Sequence, residues 1–497
     1  MDNNQQQEPK VKTLSNNLHT NPQNSGSETQ ATQPENSSAK HTELSGEYYE
    51  KFFKKTSLPS AKILKILAGT VVLLVLVLVG LYIYKKYRGG IGSITSSRGE
   101  VVWWNPWVDE KALLPIIDEF EKENPDVKIK FVKQSPQDYR ERLKNALLRE
   151  DGPDMFSVHN SWIKDFQPSL APANSTFSKA VDLSKDYYPV ILRDLKMGND
   201  FLAIPLEYDA LTLYVNEDIF AAAGRTYPKT WDQVRQVAKD LTTVGPQKVI
   251  IQSGIAMGRT DNVDYWQNIV GLIMTQNGAD LSKPTTQQAA NALEFYTAIS
   301  FTDKVWDEKL PPSTEAFARG KLAMLVAPAS AADEIKKINP NLNFRTVFLP
   351  QVRQDDPEQQ ALSYASYWAE GVWSRSGKKT AAYNFLTYLS NKDVMEKLYK
   401  NVRQDGMVGY PFPRVDMNDL QINDRILGSI IALAPNSRSW YLADKTYDGD
   451  TGINTLTAKP YAVAIKYILG GATAQASLKA LNDSLTPVLL NYNQPVK

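Results

Sequence analysis

Few residues of this chain have the types and spacing needed to bind or transform a molecule. Glu207 and Asp209 stand two apart in LAIPLEYDALTLYVNEDIFAAAGRTYPKTW, residues 202–231. On a strand that spacing puts both carboxylates on one face, where they serve as a glycosidase pair, as polar anchors for a ligand or as hinge salt bridges. The run around them is apolar, so the two charges are costly unless something polar meets them, which points to a cleft or a ligand. Two other segments, Trp104-Asn105-Pro106-Trp107 and His159-Asn160-Ser161-Trp162, set aromatics beside hydrogen-bonding groups. A flat apolar face with donors and acceptors around it is what a sugar requires. Tryptophans that simply plug the interior are the alternative.

Other chemistries are excluded by what the sequence lacks. It has no cysteine, hence no disulfide, thiol nucleophile, thiolate metal site or lipidated cysteine anchor. Of the three histidines, His19 and His41 fall in a polar N-terminal tail, leaving His159, so a His-rich metal site is ruled out. Neither a Gly-x-Ser-x-Gly elbow nor a phosphate-binding Gly-Lys-Ser/Thr loop occurs. Asp444, Thr446, Asp448, Gly449 and Asp450 imitate the start of a calcium loop, but Thr455 stands where its twelfth position needs Glu, so a solvated turn is expected. The reading is a binding protein with no metal and no cofactor, not an enzyme, with glycoside hydrolysis as the alternative chemistry. Net charge is +1, and the residues up to Arg88 hold 11 Lys+Arg and 7 Asp+Glu, leaving 45 against 48 beyond. A slightly acidic folded part argues against nucleic acid as a partner.

The elements that must position these groups begin after residue 99. Residues 1–60 are rich in Asn, Gln, Ser, Thr and Glu and read as a disordered tail. Residues 61–88 read as a single transmembrane anchor: 66–84 carry no charge and, at ~1.5 Å per residue, approach the ~30 Å of a bilayer core. A cleaved signal peptide is the competing reading, set aside because the polar stretch before it is too long. Residues 89–99 follow as a linker. Residues 100–103 then read as a strand, Leu113, Ile116, Ile117 and Phe120 as one helical face, Val127, Ile129 and Phe131 as a second strand, and residues 155–158 as a third. Such a βαβαβ run winds as a parallel sheet, and ligands bind beyond the carboxyl ends of its strands. Both aromatic segments follow such ends.

Phe317-Ala318-Arg319-Gly320-Lys321-Leu322-Ala323-Met324, Gly152-Pro153-Asp154-Met155-Phe156 and the stretch around Glu207 together resemble the family of bacterial extracellular solute-binding proteins, of maltose-binding type. The resemblance covers roughly residues 100–490. It implies an α/β, periplasmic-binding-protein-like fold: two lobes joined by hinge strands, with a solute between them. Lobe 1 is expected at about 100–208 and 327–367, lobe 2 at about 213–325 and 372–497, with crossings near 207–212, 325–328 and 368–372. Residues 344–348 are expected as a strand of lobe 1. Tyr265 and Trp266 stand where the family often contacts its ligand. Tyr367 and Trp368 at the third crossing, and Trp440 near the cleft mouth, join Trp104, Asn105, Trp107, His159, Asn160, Glu207 and Asp209 as candidate ligand contacts. The resemblance also implies a carbohydrate ligand, the permease subunits of an ABC transporter as partners, lipid contact through the one helix, a cytoplasmic tail and extracellular lobes. A tethered glycan receptor or adhesin without a transport role is the rival reading.

Overall fold

A computed structural model describes residues 99–352 and 361–492 of the chain. The expected tail, anchor and linker up to residue 98 lie outside the described residues. Among the described residues, no helix is long and apolar enough to cross a membrane. The strands are β1 (Gly99–Asn105), β2 (Val127–Lys133), β3 (Met155–His159), β4 (Lys196–Met197), β5 (Asp200–Phe201), β6 (Leu211–Asn216), β7 (Thr243–Val244), β8 (Ile250–Ile255), β9 (Leu322–Pro328), β10 (Phe344–Val347) and β11 (Trp368–Val372).

Two sheets organise them. The first has the order β11-β3-β1-β2, with β1 parallel to both β2 and β3, as the βαβαβ pattern requires. β11 runs antiparallel to β3, so Trp368 at its start lies opposite His159 at the end of β3. The second sheet has the order β10-β6-β9-β8-β7. The helix Glu110–Glu123 forms where expected: Asp109 accepts from the N–H groups of Lys111 and Ala112, and Leu113, Ile116, Ile117 and Phe120 are buried. Thr230 likewise caps Trp231–Leu241. That helix packs so closely on β8 that a Cβ at Gly254 would sit 2.0 Å from the Ala238 carbonyl oxygen.

The chain passes between the sheets at residues 204–211, beside 364–370. Ile204 and Glu370 exchange backbone hydrogen bonds of 2.9 and 2.8 Å, and Leu211 N–H donates to Tyr364 O at 3.0 Å. Strand β10, expected with the first sheet, belongs to the second. It pairs antiparallel with β6, Phe344 opposite Asn216 and Val347 opposite Leu213. The chain therefore stays with the second sheet after β9. Residues 379–404, expected with lobe 2, instead cover the first sheet: Phe385 lies 4.9 Å from Phe120 and 5.8 Å from Trp103, and Lys397 pairs with Glu119 at 2.6 Å. The physical cause is β11, an antiparallel edge strand that delivers the following helices onto the apolar face of its own sheet. The helix Gly428–Leu433 begins only after residue 427, because the Asp424 carboxylate accepts from the N–H groups of Ile426 and Leu427 and starts a new turn there.

Candidate functional site

The carboxyl ends of β1 and β3 and the amino end of β11 bring Trp107, His159, Trp162 and Trp368 together. Trp368 is the hub, its ring centroid 5.2 Å from Trp107, 5.0 Å from Trp162 and 5.3 Å from His159. Trp107 also meets Tyr447, at 5.7 Å, from the segment that precedes the helix Ile453–Leu469. Trp104 is half-buried against the same interior. The indole Nε1 of Trp107 is buried and has no hydrogen-bond partner among the described residues.

The polar members of this end fall into two classes. Asn105 is fully committed: its Oδ1 accepts from the N–H groups of Trp107 (2.7 Å) and Val108 (2.8 Å), and its Nδ2 donates to Glu370 (2.8 Å). Both ring nitrogens of His159 are engaged, by Ser161 Oγ at 2.7 Å and Ser366 Oγ at 3.0 Å. Burial lowers its pKa to about 3, so the ring is neutral. Glu207 is half-buried and its carboxylate has no hydrogen-bond partner among the described residues. Burial first, then the charges of Asp209 and Glu370, raise its pKa to about 8, while Lys133 opposes the shift.

Asp209 behaves differently although it is only two residues away. Its carboxylate accepts from the N–H groups of Ala210 (2.8 Å), Ala329 (2.6 Å) and Ser330 (3.1 Å), closing the end of β9 onto the passage between the sheets. Burial raises its pKa to about 6 against the lowering effect of these bonds. With Asp209 held by backbone amides, the pair lacks the second free carboxylate of a glycosidase.

Asn160, Tyr367 and Trp440 lie elsewhere. Asn160 donates to Asp194 Oδ2 at 2.9 Å, Tyr367 OH donates to the same oxygen at 3.0 Å, and Ser439 Oγ donates to Asp194 Oδ1 at 2.6 Å. Asn160, Asp194, Ser439 and Trp440 line a cavity of about 570 Å³. Tyr265 is buried with φ at +60°, its N–H donating to Asp444 and its ring under the Lys445 ammonium at 4.7 Å. Trp266 is buried at the start of its helix. The turn at 444–450 is not the solvated one expected: Asp448 is buried and accepts from the N–H groups of Asn454 (2.7 Å) and Thr455 (3.3 Å), capping the helix that follows. Sequence reasoning missed Glu370 and Tyr447. Glu370 carried a visible signal, a carboxylate inside the apolar strand WAEGV.

A family model described as bacterial extracellular solute-binding protein matches residues 105–396. The diacetylchitobiose-binding protein DasA of Streptomyces coelicolor is 24% identical over 275 residues, covering 52% of this chain and 61% of its own. The sn-glycerol-3-phosphate-binding periplasmic protein UgpB of Agrobacterium fabrum is 26% identical over 216 residues, 41% of this chain and 48% of its own. Among solved structures, the sugar-binding protein MalE of Xanthomonas citri matches with a TM-score of 0.64 at 18% identity, over 80% of this chain and 98% of that one. The fold is thus the α/β periplasmic-binding-protein-like one that the sequence resemblance implied.

Proposed function

We propose a function from one premise: this chain belongs to the bacterial extracellular solute-binding protein family. Members bind a solute and do not transform it. On our reading this one captures a carbohydrate between two lobes and hands it to the permease of an ABC importer. The observation that carries the sugar reading is the meeting of Trp107, Trp368 and Tyr447 at strand ends, together with a Glu207 carboxyl group that accepts no hydrogen bond from a described residue and feels the charges of Glu370 and Lys133. Indole faces stack on the apolar face of a pyranose, and a carboxyl group exchanges hydrogen bonds with its hydroxyls. One lobe is built on the first sheet with residues 379–404, the other on the second sheet, and they close by bending at 204–211 and 364–370. Residues 61–88 tether the protein, tail inside and lobes outside.

Calorimetric titration of the full-length chain with diacetylchitobiose, maltotriose and sn-glycerol 3-phosphate tests the solute class. Binding of either saccharide and not of the phosphate ester is expected. Binding of the phosphate ester alone would overturn the carbohydrate reading. Protease added to intact cells tests the tether, and is expected to remove the lobes and spare the tail.

A further inference from the structure

We infer that Glu370 is a positioning residue for solute capture, its carboxylate fixing the Asn105 amide and, through it, the Trp107 loop that forms one wall of the site. The inference rests on the reading of that end as the sugar site. Glu370 lies on β11 two residues after Trp368, on the same side of the strand. Oε1 accepts from Asn105 Nδ2 at 2.8 Å and Ser157 Oγ at 2.7 Å, and Oε2 accepts from Trp103 Nε1 at 2.6 Å. The donors come from β1 and β3, so one carboxylate ties together three neighbouring strands. It is buried, and no basic side chain contributes to its electrostatic surroundings.

A buried charge without a cation is expensive, and a glutamine of the same shape would avoid that cost. What glutamine cannot do is accept on both of its terminal atoms. Three donors converge here, so an acceptor-only group is required. Asn105 has no freedom to adapt, because turning its amide over would point NH₂ at the Trp107 and Val108 N–H groups that Oδ1 now accepts. The acceptor at position 370 therefore selects the Asn105 orientation, which selects the loop. Trp107 is then held between Trp368 and Tyr447, and the Val108 carbonyl is placed to accept from Lys133 Nζ at 2.8 Å. Holding the walls of a site before the solute arrives lowers the ordering cost of binding.

Exchanging donor and acceptor tests this. In full-length Glu370→Leu no acceptor is left for the Asn105 NH₂; in Asn105→Asp, two carboxylates face each other; the double variant combines Asn105→Asp with Glu370→Gln, whose NH₂ can turn to the new carboxylate while its oxygen accepts from Trp103. The double variant restores one donor and one acceptor with their roles reversed, and the new carboxylate at 105 still accepts from the loop. Titration with diacetylchitobiose reads affinity, and the ¹H–¹⁵N signal of the Trp107 indole, assigned with Trp107→Phe, reads the loop. Glu370→Leu and Asn105→Asp are each expected to weaken binding about tenfold or more and to move the Trp107 signal, and the double variant to recover most of what Asn105→Asp loses. Ser157→Ala removes a donor that does not touch the loop, so it should lower the melting temperature while leaving the Trp107 signal in place. A Trp107 signal unmoved in Glu370→Leu, or a double variant no better than Asn105→Asp, would overturn the inference. If the wild type does not bind diacetylchitobiose, the sugar reading fails for that solute, and the indole signals still decide the positioning role.

Discussion

The two ends of the interface between the sheets follow opposite rules. Around Asn160 and Asp194 the polar groups satisfy one another: three donors converge on Asp194, and Arg193 donates to the Ser437 carbonyl at 2.6 Å. Around Trp107 and Glu207 an indole N–H and a carboxylate have no partner among the described residues. A saturated network is part of the scaffold, whereas an unsaturated one is completed by whatever enters. The cavity of about 570 Å³ lies at the saturated end.

The largest expected effect tests the rule within the pair Glu207 and Asp209. Asp209→Ala strips the acceptor from three backbone N–H groups and should cost about 3 kcal/mol of stability in guanidinium titrations. A loss below about 1 kcal/mol would mean the network is not structural. Next, Trp368→Ala removes the hub of the aromatic end and should cost about 2 kcal/mol, with loss of saccharide binding. Third, Asp194→Asn and Glu207→Gln should divide the two ends. The first is expected to lower stability by about 1 kcal/mol with affinity unchanged, the second to weaken saccharide binding about tenfold with no loss of stability. Equal effects from both would erase the distinction between the ends.

The pH slopes carry the comparison to single titrating groups. Glu207 titrates near 8 in the fold against an ordinary value of 4.5, so the folded state holds that proton more tightly. Its contribution to stability is complete below 4.5 and is lost as pH rises through 8. His159 titrates near 3 against 6.5, so the unfolded chain takes that proton first, and stability is lost as pH falls below 6.5. Thermal melts from pH 4 to 9 should show Glu207→Gln flattening the alkaline limb and His159→Gln the acid limb. Unchanged limbs would show that neither group titrates as its surroundings require.

Much of the fold was legible because its signals are local. The 3.6-residue period of residues 113–120 and the alternation of 127–131 set helix and strand. Glu207 was legible as a charge in an apolar run. The same signal stood at Glu370 and went unread, because its meaning depends on a register that places β11 beside β3 and one strand away from β1. The sequence of β10 says strand but carries nothing about which sheet it joins, since its partner β6 is about 130 residues away along the chain. Asn105, His159 and Asn160 were rightly seen as polar groups at strand ends. That their bonding capacity is already used by neighbours is a property of packing, invisible in composition. Tyr447 was hidden in a segment read as solvated, where the buried Asp448 in fact organises the turn that presents it.

Asn454 draws one more consequence from the structure. Its Oδ1 accepts from Ser161 Oγ at 2.9 Å and from Trp162 Nε1 at 3.1 Å, and nearby Arg140 reaches the Asp448 carbonyl and Thr451. These bonds join the first sheet's side to the second's and ask nothing of a cargo. On the lobe closure proposed above, bonds of this kind favour the shut form whether or not a solute is bound. They set a background against which cargo is the signal. Asn454→Ala, by lowering that background, should make the difference between loaded and empty receptors larger, with less ATP consumed by the importer when no solute is present.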